Sequence, residues 1–168
     1  MGREGQFTTV VAPDPSDPSV GYGAPILNDV GTVAFQRFFF DETAQQSAEE
    51  IVKIDADGTR TVVAGTSGEF AFFGGRPPSL DNNGDVTFLA TLDDFSTTGI
   101  FVGPDPINDR VISTGDVLDG STVQNINFCE EGLSDSGELA FAAQLADDPE
   151  TPEVDESRTA VFRATPVP

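Results

Sequence analysis

The 168-residue chain has no histidine, no tryptophan, one cysteine, one tyrosine and only eight basic residues, of which Lys53 is the sole lysine. Each shortage excludes something. Without histidine, Ser-His and Cys-His nucleophilic catalysis cannot be assembled, and neither can a Cys/His zinc set. The single thiol, Cys129, rules out an intramolecular disulfide framework. With no tryptophan, only Tyr22 as a phenol, and no G-x-S-x-G nucleophile motif, the chain offers little for sugar stacking or hydrolysis. Eight basic against 29 acidic residues give a formal charge of -21. Such a surface repels phosphate backbones and anionic lipid, so no nucleic-acid partner is expected, whereas cations and a salty or divalent-rich medium suit it. No apolar run approaches the roughly 20 residues of a membrane span, so no membrane insertion of this chain is expected. No signal-peptide pattern opens it either, so an exported protein would carry its targeting segments outside these residues.

What the chain does have is enough apolar material for a core: 38% hydrophobic residues, with fourteen phenylalanines spread along its length. Its length suits one ordinary domain. Within that domain, "LNDVGTVAF" at 27–35 returns as "LDNNGDVTF" at 80–88 and "LSDSGELAF" at 133–141, a spacing of 53 with no slippage. Leu27, Leu80 and Leu133 correspond, as do Gly31, Gly84 and Gly137, and then Phe35, Phe88 and Phe141. A constant period across three copies is the signature of a repeat architecture.

Past each glycine the apolar residues alternate, as in Val86, Phe88, Ala90 and Leu92, while Ala34, Thr87 and Ala140 head an uncharged opposite face. This predicts a strand covered on both sides. First strands are predicted at 8–12, 60–64 and 110–114. Second strands precede each leucine, around Val20–Tyr22, Phe70–Phe73 and Val123–Phe128, and fourth strands lie at 50–54, 99–103 and 159–163. The fold class expected is all-β: three four-stranded antiparallel propeller-like blades, at 7–54, 55–103 and 104–164, together forming one domain. Closed rings typically have four to eight blades, so three would need completion by oligomerisation or by further repeats. A β-trefoil, which also uses three four-stranded units, is the alternative.

The Asp- and Asn-rich "DNNGD" resembles the start of a calcium loop, but position twelve counted from Asp81 is Leu92, where an EF-hand needs a bidentate Glu. A hairpin explains the pattern better: Gly31, Gly84 and Gly137 supply positive φ, and Asp29, Asn82 and Asp135 hydrogen-bond the turn. A more plausible place for a metal is the rim beyond the main strands. Asp41, Asp94 and Asp147 are again 53 apart, accompanied by Glu42, Asp93 and Asp148. Paired carboxylates on equivalent loops could collect Ca2+ or hydrogen-bond sugar hydroxyls. The loops there run ten residues from Asp41 to Ile51, six from Asp94 to Ile100 and fourteen from Asp147 to Val161, and such variation on a rigid scaffold marks a candidate interaction face.

The thrice-repeated Asn/Asp/Ser, two residues, Gly, then an apolar strand ending in Phe resembles the NxxGxxF tandem-repeat proteins, secreted bacterial proteins frequent in cyanobacteria. The resemblance implies a β-propeller-like fold and an extracellular or cell-surface location, and it carries no reaction or catalytic residue to transfer. The tail "RATPVP" resembles the lead into a VPEP-type sorting segment. Three functions are then in view. The first is a non-catalytic surface module that binds a matrix component or glycan, or assembles with itself as a dimer or open assembly. The second is a surface-fibre subunit, for which assembly is the whole function. The third is a glycan-active propeller enzyme using paired carboxylates. The residue inventory favours the non-catalytic readings.

Overall fold

The structure, a computed structural model, describes residue 5 and residues 7–12, 15, 19–146 and 158–166. Among these the chain is all-β, with fourteen antiparallel-paired strands in three sheets. The first sheet runs β1 (Gly21–Tyr22), β3 (Val33–Asp41), β4 (Gln46–Ile54), β5 (Arg60–Gly65), with the short β2 (Ile26–Leu27) also pairing on β3. The second runs β6 (Phe70–Phe73), β8 (Val86–Leu92), β9 (Thr98–Phe101), β10 (Arg110–Ser113), with β7 (Ser79–Leu80) on β8. The third runs β11 (Val117–Leu118), β12 (Ser121–Asn127), β13 (Leu139–Leu145), β14 (Arg158–Ala164). No sheet closes on itself, and each stacks against the next in series, as propeller blades do and the strands of a trefoil barrel do not.

The main strands fall where the alternation places them. The segments expected to open the second and third units do something else: Arg60–Gly65 and Arg110–Ser113 close the sheet before them. For the first of these the cause is a tight hairpin. Gly58 N–H donates to Asp55 O at 2.8 Å and Asp55 N–H to Thr59 O at 2.9 Å, so "DADG" folds β5 straight back onto β4. The sheets therefore break after Gly65 and Ser113 rather than after residues 54 and 103. The segment expected to be the first strand of all, 8–12, is not in a sheet.

Packing between sheets explains the phenylalanines. Ala34, Ile51 and Ala64 of the first sheet meet Phe70, Phe88 and Phe101 of the second. Phe70 stands edge-on to Phe88 and Phe101, with centroids 5.8 and 5.0 Å away, a geometry worth roughly 0.5–1.5 kcal/mol per pair beyond burial itself. Ile100 and Ile112 of the second sheet meet Leu139 and Phe141 of the third, and Phe128 just past the end of β12, in the same way. Thus Phe88 and Phe141 each face the preceding sheet. Phe35, in the first sheet, sits instead with Val52 and Ile54 beneath Val11.

Candidate functional site

The three glycine turns are brought side by side. Gly31, Gly84 and Gly137 have φ of 92°, 84° and 76°, the left-handed geometry a side chain would strain. Capping is done by the residue three before each glycine: Asn28 Oδ1 accepts from Thr32 N–H at 2.8 Å, Asp81 Oδ1 from Asp85 N–H at 2.8 Å, and Ser134 Oγ from Glu138 N–H at 3.1 Å. The next residue, expected to cap its own turn, reaches to a neighbouring turn instead. Asp29 N–H donates to Asn82 Oδ1 at 2.9 Å, and Asn82 N–H donates to Asp135 Oδ1 at 2.9 Å. The Asn82 amide also donates to Asp29 Oδ2 at 3.3 Å and Asp135 Oδ2 at 2.9 Å. Asn28 and Asn83 add amide bonds to the Asp81 and Asp135 carbonyls, each at 2.8 Å. Together these form a spine of turns joined at residues 52 or 53 apart. Lys53, the only lysine, ties the first sheet to it by donating to Gly84 O at 2.6 Å.

The rim carboxylates are engaged by their own loops. Asp41 Oδ1 accepts from Thr43 and Ala44 N–H at 2.8 and 3.0 Å. Asp94 Oδ1 accepts from Ser96 and Thr97 N–H, both at 2.8 Å, and its Oδ2 from the Thr97 hydroxyl at 2.5 Å. The Thr97 hydroxyl, then the Thr97 and Ser96 amides, lower the Asp94 pKa to about 2. Gln45 and Phe95 take left-handed φ of 54° and 55° where these short loops turn back. Glu42 contributes its carbonyl to Gln45 Nε2, and Asp93 N–H donates to Glu69 O. Asp147 and Asp148 lie outside the described residues. Among the described residues no three acidic or thiol groups converge as a metal site.

A cleft of about 600 Å³ opens between the second and third sheets, lined by Thr87, Asp85, Asp109, Arg110 and Leu139 among others. Thr87 Oγ1 is buried there with no hydrogen-bond partner among the described residues. The equivalent residue one sheet earlier, Ala34, is fully buried in close packing.

The two ends of the stack form a further candidate site, and there residue identity alone was uninformative. By register, Ile51, Ile100 and Val161 occupy one position, opposite Gln36, Leu89 and Ala142. Ile51 and Ile100 are 1% and 0% exposed beneath the following sheet, whereas Val161 is 79% exposed. At the other end Leu27 is 66% exposed, against 8% for Leu80. An apolar groove of about 480 Å³, lined by Val10, Val11, Tyr22, Ile26, Leu27 and Val33, runs along this first-sheet face. The stack therefore has two unlike exposed ends: an apolar groove on the first sheet, and on the third a mixed face where Val161 stands among Thr159, Arg163 and Gln144. No curated protein and no solved structure matches this chain. A family model does, over residues 5–166, and the chain belongs to that family, a family of unknown function (DUF7453).

Proposed function

We propose that this chain is a non-catalytic β-repeat module of the extracellular space or cell surface, whose work is binding through self-association. The observation that carries the proposal is the contrast between Ile51 and Ile100, covered by a following sheet, and Val161, left bare. A sheet face with an exposed valine, beside an edge strand that has no partner among the described residues, is a template for another β-surface. The resemblance to NxxGxxF proteins supports the surface location. The acidic surface supports a medium rich in salt or divalent cations, which would screen repulsion between copies.

The test is molar mass in solution by light scattering over a range of concentrations and salt. A species of two or more 17.7-kDa chains that grows with concentration is expected. A single copy under every condition would reject self-association. Release of product from a glycan panel, lost on Asp94→Asn, would reject the non-catalytic reading.

A further inference from the structure

Among the described residues the third sheet has no counterpart of the strand that closes each of the other two. In the first sheet β4 is flanked by β5, and in the second β9 is flanked by β10, whereas β14, their counterpart, is the last strand of its sheet. Its outer edge has no partner among the described residues. Meanwhile "TTVVA", 8–12, nearly repeats the "RTVVA" of β5, yet pairs with no strand.

The closing strands share a further detail. The pairing of β4 with β5 runs Ile51↔Ala64 and then Val52↔Val62, so Val63 is bulged out. That of β9 with β10 runs Ile100↔Ile112 and then Phe101↔Arg110, bulging Val111. Both bulged valines lean onto the core of the following sheet, Val63 on the cluster of Phe70 and Phe88, Val111 on that of Phe128 and Phe141. Val11 leans onto Phe35, Val52 and Ile54 of the first sheet in the same manner. Val11 thus already sits against the first sheet as the bulged valine of a closing strand would, while 8–12 pair with no strand among the described residues.

We propose that Thr8–Ala12 of one copy adds to the open edge of β14 in a second copy, as the fourth strand of its third sheet, so that chains join head to tail. The proposal rests on the self-association reading and names its partner and polarity. By analogy with β5, Ala12 would lie opposite Val161 and Val10 opposite Phe162, with Val11 bulged between. The exposed face carrying Val161 would then be covered by the groove carrying Leu27, as Ile51 is covered by the face carrying Leu80. One backbone bond of the spine would continue across the joint, from Asp135 N–H to Asp29 Oδ1, neither of which has a partner among the described residues, while the two carboxylates would meet there without the carboxamide that Asn82 supplies at the internal joints. Main-chain pairing at a sheet edge supplies the affinity, and the fit of alternate side chains supplies the register. Unlike faces give a heterologous contact, which closes into a ring of two copies if the rotation permits and otherwise continues as a fibre.

The experiment uses the whole chain with either end blocked. Ala12→Asp and Val161→Asp are both at exposed positions, so the single copy should fold in each, as circular dichroism would verify. Each variant alone is expected to lose self-association, and an equimolar mixture to recover it as a species of two copies and no more. If Ala12→Asp still associates while Val161→Asp does not, two β14 edges meet back to back, and strand addition is overturned although self-association stands. If the unaltered chain never associates, the functional reading itself fails. In a Cys129→Ser background, mixing Ala12→Cys with Val161→Cys provides an independent measure. Cross-linking between the two is expected, and cross-linking only of Val161→Cys to itself would overturn the register.

Discussion

Asp94 has a loop wrapped around its carboxylate, with three donors within 2.8 Å, and this sets a pH dependence. Its pKa is lowered from 3.8 to about 2 when folded, so the carboxylate's contribution is fully present above about pH 4 and is lost as pH falls towards 2. Asp94→Asn should therefore reduce thermal stability at pH 7, and the difference from the parent should shrink in scans below pH 3. Thr87 is the opposite kind of residue, a buried hydroxyl with no hydrogen-bond partner among the described residues. Thr87→Val keeps the shape and removes the unpartnered group, and should raise stability by about 1 kcal/mol in denaturant titration. Neither role was legible in the residue alone. Thr87 reads as one more strand threonine, and Asp94 reads as a ligand because its repeat spacing is visible while its loop amides are not.

Among the elements, periodicity revealed the main strands and the glycine turns, because alternation and positive φ are local demands. Sheet membership was not local. The segment "RTVVA" has the composition of a strand in either position, and only the closure of the Asp55–Gly58 hairpin decides that it joins β4. The turns were likewise legible as turns, but the bonds from Asp29 and Asn82 cross between units that sequence distance separates by 53 residues. The central turn bears bonds on both sides, so its geometry should matter to the whole stack. Gly84→Ala would put a Cβ at φ 84°, costing about 1–2 kcal/mol and lowering the melting temperature by a few degrees.

At the scale of the molecule, the two ends differ in shape while the surface shares one sign of charge. A formal charge of -21 on each copy opposes the approach of a second. Raising salt from about 0.01 to 0.15 M shortens the screening length from roughly 30 to 8 Å, so association should strengthen over that range. A charge-driven contact would weaken instead, and sedimentation at the two salt concentrations distinguishes them. The ends were hidden from the sequence because Ile51, Ile100 and Val161 are chemically alike; what differs is whether a neighbour exists. The spine adds a last point about order. Asn82 is a carboxamide between the carboxylates of Asp29 and Asp135, and it alone of the three donates a side-chain proton to both sides. The three units are thus not interchangeable parts: moving the middle one to either end would bring two acids together within one chain and leave the carboxamide bonded on one side only, so the turns fix which unit lies in the middle.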